Sequence, residues 1–202
     1  MSIYEVLDKV FTTKDFTVGG GSASAISGAM AAGLVGMVSR LSVGKGYGLS
    51  DETYSRISDL MDRVCQELSS GAQEDTKAFL GIKNAFALPK STEEEKKIRS
   101  RAINDAAVQA ATVPLENAKR AEKIMEACNI LEGKCNPNAS SDIMIGKMLA
   151  HVAIQGCVLN IEANLPLVKE QGQKETLNRS GLELIKNLAS NPENESVKEM
   201  KE

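Results

Sequence analysis

Residues 17–40 read TVGGGSASAISGAMAAGLVGMVSR, and this stretch decides the fold because it is rich in glycine and carries no charge before its last residue. Three successive glycines are followed by small residues at four-residue intervals, such as Ala25, Ala29 and Gly33. Small side chains on one helical stripe let a second backbone approach closely. The stretch therefore predicts a glycine turn followed by a helix, running to about Leu41, that other helices surround.

The same stretch is also long enough to cross a bilayer, which needs about 20 predominantly apolar residues. Its six glycines and four serines lower its hydrophobicity, and we identify no second segment of this kind in the chain. The sequence therefore predicts a buried helix and no membrane partner.

Helix signals continue on both sides of this stretch. Ser2 and Glu5 match a capping box, which predicts the start of a first helix. A third helix is predicted to begin near Asp51, because apolar residues recur there in steps of three and four. This apolar seam includes Phe79 and Phe86, so we expect both rings to face the core.

The second half of the chain predicts three more helices, and the last of them is amphipathic, with Leu177, Leu184, Ile185 and Leu188. Ser91 and Glu94 match a second capping box. Pro114 has no backbone N–H, so we expect the following helix to kink or restart there. Ser140 or Ser141 is expected to cap the next helix.

Residues 143–161 are apolar on nearly every side, which predicts a helix that is buried on most of its surface. Neither a β-α-β alternation of strands and helices nor a repeat of solenoid length is found. The prediction is an all-α helical bundle with long, partly kinked helices. Residues 1–190 form its single domain, and residues 191–202 form a charged, frayed tail.

Composition narrows the classes of function. The net charge of −3, with no Trp, 3 Tyr and 4 Phe, argues against a nucleic-acid partner. The four cysteines include no C-x-x-C pair and His151 is the only histidine, so we expect no metal site. No signal peptide is apparent, and we expect a cytoplasmic location.

Asp75 interrupts the apolar seam of the third helix. A carboxylate in such a position must be paired, hydrogen-bonded or protonated, because burying a bare charge is costly. Desolvation raises the pKa of a carboxyl group toward the range that suits a general base or acid. A structural Asp that caps or pairs with a neighbouring helix is the equal alternative.

The turn at residues 19–22, Gly-Gly-Gly-Ser, also has two interpretations. Its backbone can approach a ligand, with the amides of the next helix facing a polar group. It can equally be a tight turn whose Ser22 caps that helix.

Three further positions are candidates on weaker signals. Asp142 lies in the first turn of a predicted helix, where it is an ordinary capping residue or a proton carrier. Asn160 and Asn164 are four residues apart, so their amides share one face and can read a heterocycle or join two helices. Lys45, in a glycine-punctuated loop, can attract an anion.

Taken together, these motifs resemble the cyclodeaminase domain of the formiminotransferase-cyclodeaminase family, which includes bacterial methenyltetrahydrofolate cyclohydrolases. The matching segments, in order, are residues 17–25 (TVGGGSASA), Asp75-x-x-Ala78-Phe79, residues 88–96 (LPKSTEEEK), Val113-Pro114, Ser141-Asp142 and Asn160-x-x-x-Asn164-Leu165. Two positions depart from the family pattern. Val18 replaces a proline before the glycines, and Pro166-Leu167 replaces a polar stretch.

The resemblance implies an all-α homodimer that acts on the one-carbon bridge of tetrahydrofolate derivatives and needs no cofactor beyond that substrate. It implies that Asp75 or Asp142 carries the proton. Substrate-binding roles are implied for Gly20, Gly21, Ser22, Lys45, Asn160 and Asn164. In these roles the glycine turn lines the pocket, the two amides orient the pterin and the lysine meets the glutamate tail.

We expect a methenyltetrahydrofolate cyclohydrolase, which hydrolyses 5,10-methenyltetrahydrofolate to 10-formyltetrahydrofolate, because the chain shows no formiminotransferase domain. A formimidoyltetrahydrofolate cyclodeaminase is the alternative, since a separate transferase can supply 5-formiminotetrahydrofolate. A catalytically inactive helical dimer is the third possibility. Pro166-Leu167 favours this last reading, whereas Asp75 on an apolar seam argues against it.

Overall fold

The computed structural model describes residues 2–12 and 14–189, and every regular element within them is a helix, so the predicted all-α class is confirmed. The six α-helices are α1 (Ile3–Phe11), α2 (Gly20–Ser42), α3 (Asp51–Ala87), α4 (Glu93–Leu131), α5 (Ser140–Asn164) and α6 (Gln171–Ala189). Short 3-10 turns at Pro137–Ala139 and Leu165–Leu167 flank α5. The tail predicted over residues 191–202 lies outside the described residues.

Helix α2 is the centre of the bundle and packs against α3, α4 and α5, as its small residues predict. A methyl group added at Gly28 would lie 2.9 Å from Leu68 Cδ1 on α3 and 3.3 Å from Ala153 Cβ on α5. Helix α6 covers one side of α4 and α5. One continuous apolar core therefore extends from α2 to α6.

Local signals shape two helix ends, and the capping box at the first of them was predicted. Glu5 N–H donates to Ser2 Oγ at 3.3 Å, and Ser2 N–H donates to Glu5 Oε2 at 2.7 Å, which is a complete capping box. Gly133, just beyond the C-cap of α4, has φ 64°, a left-handed conformation that glycine adopts without a Cβ clash.

Two other helix starts differ from the prediction. The second capping box joins Thr92 and Glu95, one residue later than the predicted pair of Ser91 and Glu94. Both pairs have the three-residue spacing of a capping box, so the sequence alone does not distinguish them. The N-cap of α5 is Ala139 without a side-chain hydrogen bond, because the preceding 3-10 turn leads directly into the helix. The predicted serine cap of α5 is therefore wrong.

Helix α4 continues through Pro114 and does not restart. Pro114 has no N–H to donate to the carbonyl of Ala110, four residues earlier. Asn164 Nδ2, on α5, donates to that carbonyl oxygen at 3.1 Å. A side chain of a neighbouring helix thus replaces the missing backbone donor.

The prediction that α5 is buried on most sides is wrong. Helices α2 and α5 lie side by side, with Ser27 Oγ donating to the carbonyl oxygen of Leu149 at 3.0 Å, and together they expose an apolar surface. The exposed large side chains of this outer α2/α5 face are Met30, Met37, Leu41, Met144, Ile145, Met148, Val152 and Leu159.

By length and composition, α2 and the segment Pro137–Leu167 both pass as membrane-spanning candidates, each with a mean hydropathy of 1.4. The expectation that α2 has no counterpart in the chain is therefore wrong. Two thirds of the α2 window (67%) is buried inside the bundle, whereas only 33% of the second window is.

Candidate functional site

Asp75, near the middle of α3, meets the N-terminus of α2. Ser22 Oγ donates to Asp75 Oδ2 at 2.8 Å, and the Ser22 backbone amide also hydrogen-bonds the carboxylate. Burial raises the pKa of Asp75, and the hydrogen bonds from Ser22 oppose that rise only in part. Asp75 is thus a half-buried carboxyl group that is held in place yet easier to protonate than a solvated one.

The glycine turn lets this carboxylate reach the start of α2. A methyl group added at Gly21 would lie 2.2 Å from Asp75 Oδ1, so a side chain here would displace the carboxylate. A methyl group added at Gly20 would lie 3.4 Å from Asn160 Nδ2, an ordinary contact. Gly21 is therefore required for the close approach of Asp75, a contact that neither sequence interpretation proposed. The interpretation that Ser22 caps α2 is wrong, because the N-cap is Gly19 and makes no side-chain hydrogen bond.

Asn160 and Asn164 lie at the C-terminal end of α5, beside the glycine turn. Asn160 Nδ2 donates to the carbonyl oxygen of Gly156 at 2.8 Å. Asn164 Nδ2 donates to the carbonyl oxygens of Asn160, at 2.8 Å, and Ala110. The amide oxygens of both side chains have no hydrogen-bond partner within the described residues, which leaves them free to accept from a ligand.

These groups surround a cavity of about 100 Å³. Its lining consists of Phe16, Thr17, Gly19, Gly20, Gly21, Asp75, Phe79, Ala110, Asn160 and Asn164. The structure thus brings together five of the predicted site residues. Ser22, the sixth, is fully buried behind Asp75 and supports the carboxylate without lining the cavity.

Asp142 and Lys45 lie at the opposite end of the helical bundle from the cavity. Asp142 is in the first turn of α5, 18 residues before Asn160, which corresponds to about 27 Å along the helix. Lys45 follows the C-terminus of α2, about 33 Å beyond Gly20 by the same measure of helical rise. Within one chain, neither residue can reach the cavity.

The arrangement supplies three chemical functions. The Asp75 carboxylate can accept a proton from a nucleophile held in the cavity. The amide oxygens of Asn160 and Asn164 can accept hydrogen bonds from N–H groups on the edge of a heterocycle. The backbone at Gly20 and Gly21 carries no side chain, which lets a flat ligand lie close to the carboxylate and to the two amides.

The family model for formiminotransferase-cyclodeaminase matches residues 2–181. The chain belongs to this family.

Two named enzymes are similar to this chain in sequence. The methenyltetrahydrofolate cyclohydrolase of Methylorubrum extorquens is 33% identical over 149 residues, which is 73% of this chain and 72% of that enzyme. The formimidoyltransferase-cyclodeaminase of Rattus norvegicus is 29% identical over 148 residues, which is 73% of this chain but 27% of that longer protein.

A solved structure of the family has the same fold. Formiminotetrahydrofolate cyclodeaminase from Thermotoga maritima superposes with a TM-score of 0.78 and is 26% identical. The superposition covers 91% of this chain and 88% of that one.

Two aromatic residues at the mouth of the cavity were not predicted as site residues. Phe16 is 83% exposed and Phe79 is 45% exposed, and both also border a second cleft of about 470 Å³ that includes Lys14 and Lys83. The expectation that Phe79 and Phe86 face the core is wrong, because periodicity cannot distinguish a face that packs in the core from one that lines a cleft. Phe79 did carry a signal, since it belongs to a segment that resembles the family.

Hydrogen bonds also fix the chain that leads into the glycine turn. Asp15 Oδ1 accepts from Thr17 N–H at 2.7 Å and from Thr17 Oγ1 at 2.5 Å, and Asp15 Oδ2 pairs with Lys9 Nζ at 3.3 Å. The hydrogen bonds from Thr17 lower the pKa of Asp15, so this carboxylate stays ionised. It acts as a structural anchor, in contrast to Asp75.

Proposed function

We propose that this protein hydrolyses 5,10-methenyltetrahydrofolate to 10-formyltetrahydrofolate, with Asp75 as the proton acceptor. The observation that carries the proposal is a carboxylate with a raised pKa, held by Ser22 against the glycine turn and lining a small cavity. The proposal is supported by the 33% identity to a methenyltetrahydrofolate cyclohydrolase over most of both chains.

The reaction requires a base close to an electrophilic carbon. In the substrate, the bridge carbon lies between N5 and N10 and is cationic. Water adds to this carbon while Asp75 takes one of its protons. The tetrahedral carbon then breaks its bond to N5, which takes a proton, and loses the hydroxyl proton as the formyl group forms on N10. One proton leaves to solvent for each turnover.

The remaining groups orient the substrate for this attack. Asn160 and Asn164 present amide oxygens to the N–H groups of the pterin. Phe16 and Phe79 offer aromatic faces at the mouth of the cavity. The ionised form of Asp75 also stabilises the cationic bridge electrostatically.

Cyclodeamination of 5-formiminotetrahydrofolate is the second candidate. It is favoured by the similarity to formiminotetrahydrofolate cyclodeaminase, with its TM-score of 0.78. In that reaction N10 attacks the formimino carbon, and ammonia leaves once it is protonated. Both reactions pass through a tetrahedral carbon between N5 and N10, so the same carboxyl group serves either.

Two assays on the purified protein test the proposal. Hydrolysis is followed as the loss of methenyl absorbance, and cyclodeamination as ammonia release from 5-formiminotetrahydrofolate. Faster turnover in the first assay supports the cyclohydrolase, and activity in the second assay alone supports the alternative. A folate titration that leaves the melting temperature unchanged, without activity in either assay, would favour a catalytically inactive helical protein.

We also propose that two copies of the chain pair through the outer α2/α5 face. Its eight large apolar side chains have exposed fractions between 38% and 64%. Their combined exposed area approaches the area that one partner buries in a standard protein–protein interface, about 800 Å². A surface of this kind is larger than the apolar patches usual on monomers.

This pairing would give Asp142 and Lys45 a role. Helices α2 and α5 are antiparallel: Gly20 lies beside Asn160, and Gly146 lies beside Val35 near the other end. A two-fold axis that crosses both helices near their midpoints brings the far end of one chain to the glycine turn of the other. The proposed dimer therefore adds an aspartate and a lysine from the partner to each cavity.

A further inference from the structure

A third cleft, separate from the catalytic cavity and from the cleft at Phe16, has no role in the proposed reaction. Its volume is about 440 Å³, and it is formed by the end of α3, the start of α4 and the 3-10 turn after α5. The residues that line it are Phe86, Lys90, Lys96, Arg99, Ser100, Ile103, Pro166, Leu167 and Lys169.

The charged residues that line this cleft are all positive. Four of its lining residues are cationic, namely Lys90, Lys96, Arg99 and Lys169, and none of its described lining residues is acidic. Lys96 pairs with Glu93, at 2.7 Å between Nζ and Oε1, and no ion pair forms for the other three cations within the described residues. Such a cleft is complementary to an anion.

Arg99 and Lys169 are held in position. Arg99 Nε and Nη2 both donate to the carbonyl oxygen of Phe86 at 3.2 Å, and its guanidinium lies 5.3 Å from the centre of the Phe86 ring. Lys169 Nζ hydrogen-bonds Ser100 Oγ, and its backbone N–H donates to Asn104 Oδ1 at 2.8 Å. Part of the entropy cost of ordering these two cations is therefore already met before a ligand binds.

The cleft and the catalytic cavity lie at successive positions along α3 and α4. Phe86 lies seven residues after Phe79 on the same face of α3, a distance of about 10 Å along the helix. On the antiparallel α4, Ile103 precedes Ala110 by the same number of residues. Along these two helices, the pocket that contains Asp75 is therefore followed by the exposed ring of Phe86 and then by a cluster of cations.

We propose that this basic cleft binds the glutamyl carboxylates of the folate substrate. The assignment rests on the proposed function, since it takes the pterin to lie in the cavity at Asp75. Folates carry their carboxylates on an aromatic amide that points away from the pterin, which matches the order of pocket, aromatic rings and cations along α3 and α4. Arg99 pairs with a carboxylate through its remaining N–H groups, and Lys90 and Lys169 act as point charges.

The test compares substrates with and without the tail. The variants Arg99→Gln and Lys90→Gln are assayed with methenyltetrahydrofolate carrying one glutamate, with a polyglutamylated form, and with the methenyltetrahydropteroate that has no glutamate. Lys123→Gln, an exposed lysine near the opposite end of α4, is the matched control.

We expect Arg99→Gln to raise KM for the glutamylated substrates roughly tenfold, with kcat and the KM of the pteroate unchanged. Lys90→Gln should raise KM by a smaller factor, because its ammonium group is more exposed. It leaves the contacts of Arg99 with Phe86 intact, so it also controls for loss of folding.

Each other outcome overturns the assignment. Equal changes of KM with and without the tail, or no change in either variant, mean that the cleft does not bind the carboxylates, while the proposed reaction stands. A wild-type protein that binds and converts none of the three substrates overturns the proposed function and this assignment together.

Discussion

Pro114 and Asn164 act on the same atom, the carbonyl oxygen of Ala110. The proline leaves this oxygen without its usual helical donor, and Asn164 Nδ2 takes that place at 3.1 Å. The hydrogen bond fixes which end of the Asn164 amide points into the helix interface. The amide oxygen is therefore left for the cavity, so a proline on α4 sets the orientation of a side chain on α5.

We predict that Pro114→Ala separates stability from substrate binding. Alanine restores the N–H that bonds to Ala110, so the free energy of unfolding should rise by about 1–3 kcal/mol. The new donor competes with Asn164, and KM for the folate should rise several-fold. Denaturant unfolding and steady-state kinetics measure the two effects, and an unchanged KM would show that Asn164 is held by other contacts.

A second prediction concerns the glycine turn. Gly21→Ala places a methyl group on the Asp75 carboxylate and should lower kcat roughly hundredfold, the effect of misplacing a reacting group by about 1 Å. Gly81→Ala is the control, because nothing lies within 4 Å of a methyl group there. It should keep full activity and gain up to about 1 kcal/mol of stability. Equal activity in both variants would contradict the role of Gly21.

The sequence predicted the six helices because capping residues and apolar periodicity are local signals. The family resemblance implied a common role for Asp75 and the glycine turn, while the residues themselves showed only that a carboxylate on an apolar seam needs an explanation. The sequence could not show that the two touch. That contact depends on the register between α2 and α3, which Gly28 and Leu68 help to fix across the core.

Other parts of the prediction were wrong for physical reasons. An apolar face looks the same in sequence whether it meets a core, a ligand or a second chain, so the predictions that Phe79 and the outer face of α5 are buried are both wrong. The separation of Asp142 from Asn160 follows from helix length alone. Family resemblance groups residues by role and gives no indication of which chain supplies them.

A third prediction is that Asp75→Asn abolishes turnover without lowering stability at neutral pH. Because burial raises the pKa of Asp75, the folded state binds this proton more tightly than the unfolded chain does. The stabilising contribution of the group is therefore present at acid pH and lost as pH rises through the pKa of the folded state. The variant should match or exceed the wild type near pH 7 in thermal unfolding, and this advantage should vanish at acid pH. A large loss of stability at neutral pH would assign Asp75 a structural role.

A fourth prediction concerns the serine that holds this carboxylate. Ser22→Ala removes a hydrogen bond that lowers the pKa of Asp75, so that pKa should rise further. Since the base must be ionised, the acid limb of the kcat/KM profile should move to higher pH. Ser39→Ala is the matched control, because Ser39 is also fully buried on α2 and donates to a carbonyl of α3, that of Tyr54. Both variants should lose about 1 kcal/mol of stability, but a profile that shifts in both would refute a specific effect.

The fifth prediction tests the proposed pairing of two chains. Met148→Lys places a charge in the middle of the outer α2/α5 face and should convert a dimer into a monomer in analytical ultracentrifugation. Ile98→Lys is the control, since Ile98 is equally apolar and 56% exposed but lies on α4, away from that face. A wild-type protein that sediments as a monomer, or a Met148→Lys variant that remains dimeric, would refute this interface.

The proposed pairing of two chains also predicts that two inactive variants regain activity when they form a mixed dimer. If each site combines Asp75 of one chain with Asp142 of the partner subunit, both Asp75→Asn and Asp142→Asn are inactive as homodimers. A mixed dimer has one site that carries both substitutions and one that carries neither. Unfolding and refolding the two variants together should therefore recover part of the wild-type turnover, whereas refolding each alone should recover none. Recovery is impossible if both aspartates act within one chain, because every chain in the mixture then lacks one of them.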